Sequence, residues 1–461
     1  MHDRNDRIEL LIEHLQAHFV ETSVPDIAVD GASMFVFDSI GVALSGASHP
    51  DSAKLLDAVQ GWGQGGDAHV WGSDIKLPTA SAALVNAFHI HNQEFDCVHE
   101  RAVVHPMAVI LAALFAYAER QKNVSGRALL AAIAMAVDVA TVIGMAATKP
   151  IRYFRPAQCG ALGATAGMCV LAKFNRRQMR DAFGITYSQL AGTMQAHIEG
   201  TPTLALQIGF AARAAVCAVD LAALGFKGPH NVLDGKHGYF TLFEQEARPD
   251  PAIAELGNVW QITQVSHKPY PTGRAAHGGI AGLIYLMTLN KFTADDVHEI
   301  ILAAPPLIRQ LVDRPMLAND MSVSYARLCL PYLAAVTLTN KTVGLDAYSP
   351  ELLSAPAIFQ LASKIKITPD DNQNVNALAP QHLMVTLKDG RVLNHAMPDV
   401  YGAPFAPMTR EAQVAKFIDC CRHAPTPLHD TTINNLIVQL DNLASLDDVS
   451  EIISLMIPTL T

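Results

Sequence analysis

The stretch HLMVTLKDGRVLNHAM, His382–Met397, alternates apolar and polar side chains on either side of Asp389-Gly390. Period-two alternation around an Asp-Gly pair predicts a β-hairpin, because the tight turn needs the positive φ that glycine takes without strain. Working outward, Glu299–Ala303 and Ile365–Pro369 read as further strands, and His277–Leu289 as a helix. This mixed texture starts near Ser266 and ends near Met397.

Everything before it reads as helix after helix. Ile8, Leu11, Ile12, Leu15 and Phe19 repeat at helical spacing, as do Ala83, Leu84, Ala87, Phe88 and His91, then Val109, Ala112, Ala113 and Ala116. Alanine and glycine dominate Ala128–Ala147, Gly160–Leu171 and Gly209–Leu224, so these helices can approach one another closely as the interior of one bundle. Joints fall at Gly61–Gly66, Thr148–Pro156, Gly225–Pro229 and Leu233–Gly238. Helical patterning returns in Arg410–Cys421 and Ile433–Leu455. The chain therefore predicts a mainly α protein. A large all-helical domain is built from both chain ends (1–266 and 401–461), and a smaller α+β lid domain is inserted at 267–400.

The length of 461 residues suits two or three domains at the usual ~150 residues each. Only 16% of the chain is charged, which excludes disorder, and the formal net charge is −10. That balance argues against nucleic acid or an anionic membrane surface, yet leaves room for a small anion held by a few local cations. The first residues lack the apolar core of a signal peptide. The apolar run Ala128–Ala147 is interrupted by Asp138, which suits a buried helix better than a membrane span. Seven cysteines form no C-x-x-C pair. The expectation is a reduced, cytoplasmic protein.

Titratable residues concentrate in two places. NAFHIHNQEFDCVHERAVVHP, Asn86–Pro106, holds His89, His91, His99 and His105 with Glu94, Asp96, Glu100 and Arg101. Helical spacing brings His91 and Glu94 together, the pattern dissolves after Phe95, and Pro106 opens a new helix at a favoured first-turn position. A solvated loop, a catalytic cluster and a metal site all remain open, although H-E-x-x-H and H-x₃-H spacings are absent. SHKPYPTGRAAHGG, Ser266–Gly279, gathers Lys268, Arg274 and His277 at a helix N-terminus, where the dipole adds to their positive field and suits a carboxylate. Arg152 and Arg155 precede the helix at Gly160. No P-loop, G-x-G-x-x-G after a strand, or G-x-S-x-G occurs.

Several blocks in order resemble the MmgE/PrpD family: FVFDSIGVALSGA (Phe35–Ala47), the segment Ala68–Pro106, FRPAQCGALGATAG (Phe154–Gly167), GFAARAA (Gly209–Ala215), GFKGPHNVLDGKHGYF (Gly225–Phe240), SHKPYPTGRAAH (Ser266–His277), CLPYLAAVTL (Cys329–Leu338) and VAKFIDCC (Val414–Cys421). The resemblance implies a helical domain with a smaller lid, a homodimer, and a site between domains. It implies small anionic di- or tricarboxylate substrates and no metal or organic cofactor. Family chemistry begins with removal of a proton beside a carboxylate.

Carried over by position, His105, Lys268 and His277 match family site residues, and Asp96 matches an acid. Glu94 stands for a usual Asp, Cys97 for another Asp, and Val98 for a Thr. Arg155 replaces a His, Leu204 a Lys and Gln207 a His, while Tyr332 lies near an aromatic position. His105 is expected to act as general acid/base, with His99 or His277 as partner. Lys268, Arg274 and Arg155 would hold carboxylates. Glu94, Asp96 and His91 would orient histidines or bind substrate, with Tyr332 alongside. A dehydratase-like lyase is expected first. An epimerase, a decarboxylase, or a binding protein that has lost its chemistry are the alternatives.

Overall fold

The computed structural model describes residues 6–317 and 321–457. The protein is mainly α, with a four-stranded sheet and a two-stranded ladder among the described residues. Helices Thr79–His91, Pro106–Gln121, Gly126–Met145, Arg155–Leu171 and Thr203–Ala223 pack into a bundle. Arg155–Leu171 runs through its middle. Its glycines explain how: a Cβ on Gly163 would fall 2.6 Å from the Ala136 carbonyl oxygen, and one on Gly167 3.0 Å from that of Ala132. Small residues thus set the helix separation, and almost every side chain of this helix is buried.

By length and apolarity alone, Asp26–Gly46, Gly126–Met145 and Thr203–Ala223 could each cross a membrane, but 89% of the apolar window of Gly126–Met145 is buried against protein. Its Asp138 is satisfied inside, accepting from the Gln261 N–H at 2.8 Å and meeting His14 Nε2 at 3.1 Å.

The hairpin forms where alternation predicts it. Gln381–Leu387 pairs antiparallel with Val392–Met397, and Gly390 takes φ 89° in the turn. The four-stranded order is Ile365–Pro369, Val297–Ala304, Gln381–Leu387, Val392–Met397, with the first pair parallel. Helix His277–Asn290 lies on this sheet, so closely that a Cβ on Gly282 would meet Met397 Sδ at 2.6 Å. The chain then returns to its start. Helix Arg410–Arg422 packs on Asp26–Gly46, with Phe417 stacked on Phe37 at 4.3 Å and Lys416 paired with Asp38 at 2.7 Å.

Two local expectations change. The terminal helix stops at Asp441 and short 3₁₀ turns follow, the second capped by the Asp448 side chain on the Ser450 N–H. A two-stranded antiparallel ladder, Ala68–His69 with Lys76–Leu77, interrupts the helical half. Strands of two residues are too short for any periodicity to reveal.

Candidate active site

Helix Thr79–His91 ends at His91, and the chain crosses to the next helix through a loop with two residues in the left-handed region, Glu94 (φ 51°) and Val103 (φ 52°). For a β-branched residue such as Val103 this conformation is strained, and it persists only where surroundings over-determine it. The loop is pinned by bridges Val98–Ser266 and His99–Val104. It therefore delivers its acids and histidines to fixed places.

Asp96 is the centre. It is fully buried, and its Oδ2 accepts from His91 Nδ1 at 2.9 Å and His105 Nδ1 at 3.1 Å. Lys268 Nζ lies 3.6 Å from its Oδ1, 2.8 Å from Glu94 Oε2 and 3.1 Å from the Glu94 carbonyl oxygen. Burial pushes both carboxyls up, but the Lys268 and histidine charges outweigh it: Glu94 is held down at about 2 and Asp96 well below the usual range. Burial lowers His91, yet its two carboxylate neighbours raise it overall. His105 is lowered by burial and by Lys268. With Nδ1–H given to Asp96, His105 presents Nε2 as a lone pair, and this atom makes no hydrogen bond among the described residues.

His105 and Glu94 open onto a cavity of about 60 Å³, room for roughly four to six water molecules. Val98, Ile151, Phe154, Met194, Leu204 and Leu311 wall it, and Gly273–Ala275 and Leu328 close it from the later part of the chain. The apolar residues Val98 and Leu204, where the resemblance expects Thr and Lys, both face it.

The other expected residues have different positions. His99 is buried with both ring nitrogens engaged, Nε2 on Gln261 Oε1 at 3.0 Å and Nδ1 accepting the Ala102 N–H at 3.2 Å. Arg155 is 1% exposed, its Nε 2.9 Å from Glu244 Oε1, and does not border the cavity. Arg274 lies beside the cavity, but its guanidinium binds Glu100 at 2.8 Å and the carbonyls of His267, Val400 and Tyr401. His277 contacts the Thr272 carbonyl at 3.2 Å and is pushed far down by burial, so it is neutral inside. Tyr332 is buried and donates to the Ala347 carbonyl oxygen at 2.5 Å. His89 turns away from this cluster into a separate cavity bordered by Trp71 and Ser52.

Three residues escaped the reading of the sequence: His197 on the cavity wall, Arg314 behind it, and Arg327. Arg314 Nη2 meets His197 Nδ1 at 3.1 Å and the His197 carbonyl at 2.8 Å, which fixes His197 as the Nε2–H tautomer. Burial holds His197 at about 4. No motif marks these positions, because they meet the site only through folding.

His91, Asp96 and His105 bring three ligand atoms within 4.8 Å and could hold a metal by proximity. Lys268 already supplies a cation there, and both Nδ1–H groups satisfy the Asp96 oxygen that a metal would need. What the arrangement can do unaided is move a proton: an oriented imidazole, with charged groups balanced behind it, facing a small apolar cavity.

Residues 15–252 match the MmgE/PrpD N-terminal domain and residues 270–442 the MmgE/PrpD C-terminal domain. Among curated relatives, cis-aconitate decarboxylase of Mus musculus is 27% identical over 91% of this chain and 87% of its own length. The Homo sapiens protein of that name is 28% identical over 84% and 81%, and the Aspergillus terreus one 24% over 96% and 94%. With both family models matched along most of its length, the chain belongs to the MmgE/PrpD family.

Proposed function

We propose that the protein is a lyase that releases carbon dioxide from a small di- or tricarboxylate, with His105 as the proton-transferring group. The observation that carries this reading is the His105 ring: Nδ1 fixed by Asp96 at 3.1 Å, Nε2 free beside a cavity with apolar walls. Nε2 takes a proton from the carbon beside a carboxylate and returns it to the neighbouring allylic carbon, shifting the double bond. The C–CO₂⁻ bond then breaks, and its electron pair is captured on carbon by a solvent proton relayed through the ring. Net, one carboxylate leaves as carbon dioxide and one solvent proton takes its place on carbon.

Decarboxylation stands ahead of the elimination expected from the sequence for a specific reason. Glu94 and Asp96 are both held ionised, with Lys268 fully buried against them, so neither of these two carboxyls is poised to protonate a leaving hydroxyl. The apolar walls from Ile151, Phe154, Met194, Leu204 and Leu311 disfavour a charged carboxylate and favour its conversion to neutral carbon dioxide. The names of the curated relatives point the same way. The small cavity volume requires opening for substrate entry, and the wall supplied by 267–400 is the part we assign to that movement.

The test is product analysis on a panel of saturated and unsaturated di- and tricarboxylates. Carbon dioxide release is expected, and His105→Ala should lower turnover by about 10²–10⁴-fold with its melting temperature preserved. A product that has lost water but kept all its carbons would sink the decarboxylase reading. Unchanged turnover in His105→Ala would sink the assigned role.

A further inference from the structure

Loss of one carboxylate requires the rest of the substrate to be held elsewhere, and most buried cations around the cavity are already paired. Lys268 is on Glu94, Arg274 on Glu100 and Arg155 on Glu244. Arg314 and Arg327 have no carboxylate partner among the described residues, and of the two it is Arg327 that lines a cavity. Arg327 follows the short helix Val323–Ala326 and is only 4% exposed. Its Nη1 donates to the backbone carbonyls of Gln93 and Pro271, both uncharged. The guanidinium lies 4.3 Å from the Tyr348 ring centroid, and the Tyr348 hydroxyl is itself fixed on the Pro271 carbonyl oxygen at 2.7 Å. No carboxylate pairs with Arg327 among the described residues; Glu94, which acts on it from a distance, is held by Lys268. Among the described residues Nε is buried without a partner, and the guanidinium's hydrogen bonds are all made by Nη1. Nε and Nη2 form one edge of the guanidinium, the edge that matches two carboxylate oxygens.

That residue lines a second, smaller cavity of about 20 Å³, room for one or two water molecules and so for about one carboxylate head. Other donors face it. His49 Nδ1 accepts the Asp51 N–H at 3.2 Å, which places the ring proton on Nε2, and Nε2 is buried without a partner. Thr201 and Ser324 add hydroxyls. Asn92 and His91 also line it, with His91 Nε2 3.7 Å from Glu94 Oε1. Glu94, Leu204 and Leu328 border both this cavity and the larger one, so the two lie side by side.

We propose that Arg327, with the His49 Nε2–H and the Thr201 and Ser324 hydroxyls, forms a carboxylate subsite that anchors the non-reacting end of a di- or tricarboxylate. The subsite deepens the decarboxylase reading and rests on it for the word non-reacting. It makes a second carboxylate a requirement of binding, because a buried cation without a counter-charge is costly until an anion arrives.

The probes are succinate and tricarballylate, with butyrate as the monocarboxylate control, in thermal-shift titrations of the full chain. Both polycarboxylates should raise the melting temperature of the wild type, and butyrate should not. Arg327→Met should weaken the polycarboxylates by about 10- to 100-fold, the range for a hydrogen-bonded charge. Arg327→Lys keeps a cation in place should the Met variant fail to fold, and is expected to fall between. On a turned-over substrate Arg327→Met should raise KM far more than it lowers kcat, while His105→Ala should lose turnover and keep the succinate shift. Equal shifts in wild type and both Arg327 variants, or no polycarboxylate shift in the wild type, would overturn the subsite. A wild type that binds succinate through Arg327 but releases no carbon dioxide from any substrate would overturn the decarboxylase reading and leave the subsite standing.

Discussion

Arg155 and Arg327 are both buried arginines in the interior around the site, and they do opposite things. Arg155 ends on Glu244 at 2.9 Å and on the Ala102 carbonyl oxygen at 3.2 Å, tying a helix N-terminus to the loop before Pro106. Arg327 ends on two neutral carbonyls, lines a cavity and has no carboxylate partner among the described residues. The difference teaches that burial and charge do not distinguish a structural cation from a binding one. The partner and the cavity together do: a paired buried charge is already compensated, whereas Arg327, with no carboxylate partner among the described residues, borders a cavity that can admit one.

The comparison can be broken most sharply at Arg155. Arg155→Met leaves the 7%-exposed Glu244 without its cation and should cost about 3–5 kcal/mol in urea denaturation. Adding Glu244→Leu should recover part of that loss. Succinate binding by the folded fraction should stay as in the wild type. A stable Arg155→Met protein that no longer binds succinate would make Arg155 the binding residue and erase the contrast.

A middle-sized effect is expected at Asp96, where a charge orients rather than binds. Asp96→Asn should lower kcat by about 10- to 100-fold through loss of the fixed His105 ring. It should also move the pH profile. His105 works as the neutral base, so kcat/KM is level above its pKa and falls as pH drops through it. Burial and Lys268 place that pKa below the usual 6.5, and Asp96 pulls the other way. Without Asp96 the acid limb should shift to still lower pH. A limb that moves upward would show that another group controls it.

The smallest effect concerns a buried group that is unpaired and neutral. His89 is 3% exposed, neither ring nitrogen has a partner among the described residues, and burial pushes it down to about 3 from the usual 6.5. A histidine lowered by folding contributes stability that is fully present above its unfolded pKa and is lost as pH falls through the window from 6.5 toward 3. The loss is about 1.4 kcal/mol per pH unit. Between pH 6.5 and 5.5 the wild type should therefore lose about 1 kcal/mol more than His89→Leu in denaturant titrations. Parallel losses in the two proteins would place a partner on His89 that neutralises this cost.

Much of the architecture was legible before folding was considered. The Asp389-Gly390 hairpin, the strand Ile365–Pro369 and the alanine-rich helices follow from periods of two and of 3.6, which are local properties. The Asn86–Pro106 cluster was legible as well, because a loop between two apolar helices concentrates its acids and histidines within about twenty residues of chain. The short ladder at Ala68–His69 was not, since a pair of two-residue strands has no period.

Within the site, the sequence by itself determined the family, the mainly helical class and the grouping of His91, Glu94, Asp96 and His105, all carried by near neighbours in the chain. It also brought Arg155, Arg274 and Lys268 forward as cations without saying what each one faces. Only the tertiary structure decided that Arg155 and Arg274 end on Glu244 and Glu100, that Lys268 braces Glu94, and that Arg327 and His197 border the cavities. The physical reason is distance along the chain. Arg327 meets Gln93, and Lys268 meets Glu94, across more than 170 residues. Whether a charge is compensated or left open depends on partners that a local pattern cannot contain.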